Sequence, residues 1–239
     1  MSLVIYQGPM FASKSKNLFS RLSHLIDVFP TKRSLVITSK HDTRGEESHG
    51  DINDIEIYDN SNITLNDNSI ITSHSSLFKG IPKKVNCLMR VLNLHDVDVT
   101  EYDIIAIEEG QFFNDLHDTV KYWVDGLGKW VLIASLDTNW KREPFGQIHL
   151  CSSFANEIHK CSANCLRCIK ELGDLVNPES LPLATFTARK IDSCDEILVG
   201  DDDKYEATCR RHHPYSSKIK ESVISKQPSG RPISFYMNL

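Results

Sequence analysis

The chain has 239 residues, of which 40% are hydrophobic and 25% charged, and its formal net charge is −5. These proportions are typical of a folded globular protein and exclude a fibrous or disordered chain. The acidic balance gives no general attraction to nucleic acid, and no apolar run approaches the roughly 18 residues of a membrane-spanning helix. We therefore expect one main domain in the cytoplasm, with neither nucleic acid nor a membrane as partner.

The first 150 residues alternate short β-branched runs with longer amphipathic stretches, a pattern that predicts an α/β fold with a parallel sheet. The predicted strands are Leu3–Gln7, Ser34–Thr38, Ile55–Tyr58, Ile70–Thr72, Ile104–Ile107 and Trp130–Ser135. Apolar residues recur at helical spacing from Leu18 to Phe29, and Pro30 follows them. A helix is therefore predicted directly after the first loop.

That first loop lies in the segment "GPMFASKSKNLF", Gly8 to Phe19. It fits the phosphate-binding signature G-x-x-x-x-G-K-[ST], except that Ser13 stands where the second glycine belongs. A loop between a strand and a helix N-terminus directs backbone N–H groups at one point, so it binds phosphate readily. Lys14 would add a positive charge and Ser15 a hydroxyl ligand for Mg²⁺. If Ser13 takes a positive φ, its Cβ costs about 1–2 kcal/mol.

A second motif, "IIAIEEGQFF", begins at Ile104 and ends in Phe112 and Phe113. Its apolar strand places Glu108 and Glu109 at the carboxyl edge of the sheet, where open α/β folds bind ligands. One carboxylate can hold magnesium while its neighbour accepts a proton. Alone, such a pair is more often a solvated corner; beside a phosphate loop, the functional interpretation is favoured.

Cysteine and histidine cluster in the last third of the chain. Cys165 and Cys168 form a C-x-x-C pair, and Cys209 and His212 repeat its spacing, so a tetrahedral Cys₃His zinc site is predicted. The separation of the two pairs exceeds that of common zinc fingers, which leaves buried free thiols as the alternative. Other candidate ligands lie nearby: Cys161, Cys194, His159 and His213.

Aromatic residues are spread along the chain, at Phe112, Phe113, Trp140, Phe145 and Tyr205. Scattered aromatic residues usually belong to the core. The alternative is a flat apolar slot that stacks a nucleobase.

Taken in order, these segments resemble the thymidine kinase family of the cytosolic, zinc-containing type. "GPMFASKSK" is similar to the family's "GPMFSGKST", and "KHDTR" with "SHG" to its K-x-D-x-R-Y-S…S-H element. "EEGQFF" resembles D-E-[GA]-Q-F-F, and "LDTNWKREPFG" resembles L-D-x-x-F-x-x-x-P-F-G. "ATFTARKID" resembles A-x-x-T-x-R, and "ILVGDDDKYEATCRRHH" resembles I-L-V-G-x-x-x-K-Y-x-x-x-C-R-x-H-H.

The resemblance implies a P-loop, RecA-like parallel sheet with helices on both faces over residues 1–158. A zinc-binding lobe over 159–213 would carry a long loop that closes on the substrate, and 214–239 would be a flexible tail. The implied activity is ATP- and Mg²⁺-dependent phosphorylation of thymidine at the 5′-hydroxyl, in nucleotide salvage for DNA synthesis. A homotetramer and feedback inhibition by thymidine triphosphate are also implied by the family.

The resemblance also assigns residues. Lys14 and Arg44 would contact phosphate, Glu108 would replace the family's Asp on magnesium with Ser15, and Glu109 would be the general base. The nucleotide-binding residues would be Gly8, Pro9, Met10, Phe11, Ala12, Ser13, Lys14, Ser15, Glu108, Glu109, Gly110 and Gln111. The thymidine pocket would comprise Met10, Phe112, Leu136, Trp140, Phe145, Thr187, Glu196, Ile197, Leu198, Val199, Gly200 and Tyr205. The zinc ligands would be Cys165, Cys168, Cys209 and His212.

Departures from the family pattern leave two rival interpretations. Ser13 replaces a glycine, Glu108 an Asp and Trp140 a Phe, while Gly45 and Glu46 replace Tyr-Ser. An eroded loop could belong to a catalytically impaired nucleotide-binding homologue with a regulatory or assembly role. A zinc-ribbon nucleic-acid module would instead require a basic face around the cysteines, where acidic residues offset the basic ones.

Overall fold

The computed structural model describes residues 1–42, 56–59, 81–82, 84–175, 177, 180–190 and 203–215. The strands of the main sheet are β1 (Ser2–Gln7), β2 (Ser34–Ser39), β3 (Glu56–Asp59), β4 (Cys87–Val91), β5 (Ile104–Ile107), β6 (Trp130–Ser135) and β7 (Glu157–Lys160). The helices are α1 (Lys14–Val28), α2 (Leu116–Lys121), α3 (Ile148–Cys151) and α4 (Leu166–Leu172). Four more strands follow β7: β8 (Ala163–Asn164), β9 (Leu183–Ala184), β10 (Phe186–Arg189) and β11 (Tyr205–Thr208).

Within the described ranges, the main sheet has seven strands in the order β3-β4-β2-β5-β6-β1-β7. All neighbouring strands are parallel except β3, which pairs antiparallel with β4 at one edge. Strand β1 lies between β6 and β7, with Gln7 opposite both Ser135 and Lys160. The loops after these three strands consequently leave the sheet at the same edge.

Helices cover both faces of this sheet, as predicted. Leu18, Leu22 and Ile26 of α1 are buried in the core on one face. On the other face, a second core includes Leu116 and Val120 of α2. Because both faces are covered, the central strands are continuous apolar runs, and all four residues of β5 are buried.

The strand predictions that fall on described residues are confirmed to within one residue at each end. Ile70–Thr72 lies outside those residues. Two strands of the main sheet, β4 and β7, were not predicted, and neither were the strands β8 to β11 that follow it. Strand β4 contains the buried Arg90, whose Nη2 donates to the Asp42 carbonyl at 3.1 Å. Strand β7 is an exposed edge strand with the sequence EIHK. Neither therefore displays the apolar β-branched pattern used for prediction.

The residues after β7 form a smaller unit from two antiparallel ladders, β8 with β9 and β10 with β11, together with α4. The proposed boundary between 158 and 159 falls inside β7, which pairs with β1 of the main sheet. The division into two domains and a tail stays a prediction.

Candidate active site and metal centre

The phosphate-loop candidate connects β1 to α1. Gly8 is the first residue of this loop and packs closely against Cys161, which follows β7. A Cβ at Gly8 would overlap the backbone carbonyl oxygen of Cys161. Cys161 in turn donates its N–H to the Gln7 carbonyl at 2.8 Å. A side chain at Gly8 would thus force β1 and the segment after β7 apart, so glycine is required here by close approach.

Two residues of this loop other than glycine have a left-handed backbone. Ser13 has φ 58° and ψ 26°, and Phe11 has φ 63°. The condition under which Ser13 is strained, a positive φ, is therefore met. No sequence motif predicted a positive φ at Phe11, whose side chain is half exposed.

The residues after Ser13 begin α1 and face the end of β5. The Lys14 Nζ donates to the Pro9 carbonyl at 2.8 Å, so its ammonium lies over the loop that it follows. The Ser15 hydroxyl donates to Oε1 of Glu108, a buried carboxylate directly after β5. Two oxygen groups predicted to hold magnesium are therefore in direct contact.

Glu109 occupies the next position and also has a left-handed backbone, with φ 53°. Its Oε2 accepts a hydrogen bond from the Gln111 side-chain amide. Gly110 lies between them against β6, where a Cβ would come within 2.9 Å of the Ile133 side chain. The turn after β5 therefore directs the two adjacent carboxylates to different partners.

The predicted pocket residues come together in pairs. The Met10 N–H donates to the Thr187 hydroxyl at 3.0 Å, which connects the phosphate loop to β10. The rings of Phe112 and Phe145 meet edge to face, with centroids 6.0 Å apart. The first contact joins the loop after β1 to the smaller unit, and the second joins the loops after β5 and β6.

Arg189 was not predicted as a site residue, but it lies between two that were. Its guanidinium is 4.5 Å from the centroid of the Trp140 ring and 5.7 Å from that of Tyr205. Its Nη2 also donates to the Tyr205 hydroxyl at 3.3 Å. Arg189 is two residues after Thr187, so both side chains leave the same face of β10. This two-residue spacing from the predicted pocket residue Thr187 could have indicated Arg189 from the sequence.

An ion pair between a half-exposed lysine and a buried aspartate crosses the start of the phosphate loop. The Lys160 ammonium at the end of β7 contacts the Asp137 carboxylate, which follows β6. Because β1 lies between these two strands, the pair spans the carboxyl end of β1. Burial lowers the pKa of Lys160, and the charge of Lys14 lowers it further.

The predicted zinc ligands converge. The ligand atoms of Cys165, Cys168, Cys209 and His212 all lie within 4.8 Å of one another. His212 Nδ1 is 3.4 Å from the sulfur of Cys165, 3.3 Å from that of Cys168 and 3.6 Å from that of Cys209. A tetrahedral zinc site separates its ligand atoms by roughly 3.5–3.8 Å. The four residues therefore fit a zinc ion.

The surroundings of this cluster suit a metal site. His212 Nε2 is 2.8 Å from Oε1 of Glu171, so a carboxylate orients the ring with Nδ1 toward the sulfurs. Burial raises the pKa of Cys168 to about 11. At Cys165 burial acts in the same direction, but hydrogen bonds from backbone N–H groups of Cys168 and Cys209 lower the pKa to about 6.

The competing ligands within the described residues have other partners, and Cys194 lies outside those residues. The ring of His159 stacks on Tyr6 with centroids 4.8 Å apart, and the buried His213 lies 3.2 Å from the Thr187 carbonyl through Nε2. Cys161 lies outside the cluster, against Gly8. Two arginines of the lobe, Arg167 and Arg211, form ion pairs with Glu206 and Glu171.

Comparison with known proteins agrees with this arrangement of a phosphate loop, two carboxylates and a Cys₃His cluster. The family model described as "Thymidine kinase" matches residues 1–213. The chain belongs to the thymidine kinase family. The predicted resemblance and the predicted enzyme class, a phosphotransferase, are thereby confirmed.

Individual relatives of the thymidine kinase family align over most of the chain. A thymidine kinase of Acanthamoeba polyphaga mimivirus is 29% identical over 212 residues, which cover 88% of this chain and 81% of the relative. Thymidine kinase 1 of Dictyostelium discoideum is 32% identical over 208 residues, 85% of this chain and 73% of the relative. A thymidine kinase of Mycoplasma mobile is 32% identical over 212 residues, 87% of this chain and 85% of the relative.

Some residues assigned through the thymidine kinase resemblance lie outside the described part of the chain. These are Arg44 and the thymine-reading segment 196–200, comprising Glu196, Ile197, Leu198, Val199 and Gly200. Their assignments stay predictions. None of the helices in the described ranges is long and apolar enough to cross a membrane.

Proposed function

We propose that this chain transfers the γ-phosphoryl group of ATP to the 5′-hydroxyl of thymidine, with Mg²⁺, in nucleotide salvage for DNA synthesis. The observation that carries the proposal is the contact between Ser15 and Glu108 beside a separately held Glu109. A metal-side carboxylate and a proton acceptor are the two groups that phosphoryl transfer requires next to a phosphate loop.

The phosphate loop would bind ATP through its backbone amides and through Lys14. The N-terminus of α1, a helix of 15 residues, adds positive potential at the same place. Since Lys14 now donates to the Pro9 carbonyl, its ammonium would exchange this bond for phosphate oxygens when ATP binds. Bound Mg²⁺ supplies charge neutralisation on the β- and γ-phosphates. Ser15 and Glu108 would hold it.

Glu109 is proposed as the general base. It follows Glu108 on the same turn, and its left-handed backbone directs it away from the Ser15 contact. It would accept the proton of the 5′-hydroxyl as that oxygen attacks phosphorus. Such catalysis depends on positioning more than on covalent chemistry.

The nucleoside would bind between the main sheet and β10. Three contacts support this proposal: Met10 with Thr187, Phe112 with Phe145, and Arg189 with both Trp140 and Tyr205. An apolar slot with a few fixed polar groups is the usual form of a small-molecule site. We propose that the segment 196–200 reads the thymine edge and that Arg44 contacts phosphate.

The remaining proposals follow from the family. Zinc would be bound by the Cys₃His cluster and would staple the lobe, so that its loop closes over the nucleoside and excludes water. The protein would act in the cytoplasm as a homotetramer and be inhibited by thymidine triphosphate.

The decisive experiment incubates the purified chain with ATP, Mg²⁺ and each deoxynucleoside in turn, and follows monophosphate formation. We expect thymidine monophosphate, with turnover reduced about 100-fold or more in Glu109→Gln. Glu101→Gln is the matched control, because Glu101 is an exposed partner of Arg33 far from the loop, and full activity is expected. No turnover of any nucleoside would favour the catalytically impaired homologue.

A further inference from the structure

The Gln111 side chain is buried and has a fixed orientation. It is 3% exposed, and its amide oxygen accepts hydrogen bonds from the Leu136 N–H at 2.8 Å and the Ser135 hydroxyl at 3.2 Å. A backbone N–H can only donate, so the atom opposite it must be the amide oxygen. The side-chain nitrogen is consequently on the other side.

That nitrogen faces Glu109 and donates to its Oε2. The Gln111 amide is therefore fixed through its oxygen at the end of β6, and through its nitrogen it holds the Glu109 carboxylate. The left-handed backbone of Glu109 places its side chain within this reach.

The loop that follows β6 also contacts the backbone of Gln111. A Cβ at Gly146 would lie 2.5 Å from the Gln111 carbonyl oxygen and 2.8 Å from its Cα. The segment 136–146, which carries pocket residues Leu136, Trp140 and Phe145, thus contacts Gln111 at both of its ends. Gln111 is the connection between this segment and Glu109.

We propose that Gln111 is a positioning residue that fixes the Glu109 carboxylate for proton transfer and couples it to the nucleoside-binding segment 136–146. This rests on the proposed function of Glu109 as the base. Without the Gln111 N–H the carboxylate would sample more rotamers that do not face the 5′-hydroxyl, and a displacement of about 1 Å in such a group can cost about 100-fold in rate.

The informative variant is Gln111→Glu, which is nearly isosteric. Its carboxylate still accepts from the Leu136 N–H and the Ser135 hydroxyl, but it has no N–H for Glu109. Two carboxyl groups in contact also raise the pKa of one of them, which makes Glu109 a poorer carboxylate base at neutral pH. We expect turnover to fall about 10- to 100-fold while the Michaelis constant for thymidine changes less than about threefold. A purely structural role would instead raise this Michaelis constant.

Gln147→Glu is the matched control. The Gln147 side chain also bridges two segments, accepting from the His117 N–H at 2.9 Å and donating to the Asn114 carbonyl. Like Gln111→Glu, the variant Gln147→Glu replaces an N–H donor by a carboxylate oxygen, but no hydrogen bond in the described residues joins Gln147 to Glu109. We expect its turnover to remain within about twofold of the original chain.

A double variant distinguishes this inference from the proposed function. If Gln111 acts through Glu109, adding Gln111→Glu to Glu109→Gln should lower turnover little further. An equal loss in both backgrounds, or full turnover in Gln111→Glu alone, would overturn the positioning role. Should Glu109→Gln show no measurable turnover, the comparison of Gln111→Glu with Gln147→Glu decides. Full activity of Glu109→Gln would instead overturn the base assignment.

Discussion

The Ser15 hydroxyl donates a hydrogen bond to Oε1 of Glu108, which connects the first turn of α1 to the end of β5. The two residues are 93 positions apart in sequence. Hydroxyl and carboxylate oxygens are hard ligands of the kind that Mg²⁺ selects. Although Glu108 is one methylene longer than the family's aspartate, its carboxylate reaches the serine directly.

Replacing Glu108 by glutamine should weaken magnesium use. The variant keeps the length of the side chain but removes its charge, so we expect the half-saturating Mg²⁺ concentration to rise about tenfold or more. Glu108→Asp keeps the charge but shortens the reach to Ser15, and a smaller increase is expected. Activity titrated against free Mg²⁺ at saturating ATP measures both. An unchanged requirement in Glu108→Gln would remove Glu108 from the proposed site.

The Ser13 backbone provides a second prediction. At φ 58° a Cβ is unfavourable by about 1 kcal/mol, and β-branching adds to this. The Michaelis constant for ATP should therefore decrease a few-fold in Ser13→Gly, change little in Ser13→Asn and increase in Ser13→Val. Asparagine tolerates this conformation better than other residues with a side chain. An unchanged or higher constant in Ser13→Gly would indicate a loop adapted to serine.

The sheet was largely predictable because its central strands are buried on both faces. Strands β1, β2, β5 and β6 are apolar runs, since parallel strands under helices contact no water. Strands β4 and β7 were missed for opposite reasons. Arg90 in β4 is buried with its Nη2 donating to the Asp42 carbonyl, and β7 is a polar edge. Both depend on tertiary contacts.

The residues of the candidate site could be predicted from local sequence motifs, but the contacts between distant segments could not. The phosphate-loop signature and the paired carboxylates predicted Lys14, Ser15, Glu108 and Glu109 from local sequence, and the structure brings Ser15 and Glu108 into contact. The contact of Arg189 with Trp140 depends on how β10 lies against the main sheet. A hydrogen bond as specific as that between Gln111 and Leu136 likewise requires two segments to meet in space. Sequence spacing does not encode such contacts.

Metal removal is the third prediction. Because the Cys₃His ligands belong to two segments, a bound zinc would contribute directly to folding of the lobe. We expect about one zinc per chain by elemental analysis. Chelation or Cys209→Ser should lower the midpoint of thermal unfolding and abolish activity. Cys151→Ala is the control, because Cys151 is buried in the core on the face opposite α1. Its zinc content should be unchanged.

Glu171 tests the surroundings of the same cluster. Glu171→Gln retains shape but loses the charge opposite His212 Nε2, and zinc affinity should decrease about 10-fold. Competition with a chromogenic chelator measures this. Equal affinity in both proteins would mean that Glu171 does not orient the histidine.

The ion pair between Lys160 and Asp137 leads to the final prediction, a stability change. Asp137 is 4% exposed at its side chain and Lys160 is 50% exposed. Removing one partner of a fully buried pair costs about 3–5 kcal/mol, because the other charge is left uncompensated. Since Lys160 is half exposed and water can partly compensate, we expect Lys160→Met to lower the free energy of unfolding by about 1–3 kcal/mol.

The losses of unfolding free energy in the two single variants should not add up in the double variant. Lys160→Met with Asp137→Asn removes both charges, so its destabilisation should be smaller than the sum of the single changes by about 1 kcal/mol or more. Urea unfolding at pH 7 with saturating zinc measures all three variants. Lys84→Met is the control, because the Lys84–Asp27 pair is exposed on both sides and should contribute less than about 0.5 kcal/mol. If the two single changes add strictly, Lys160 and Asp137 are not coupled energetically across the end of β1.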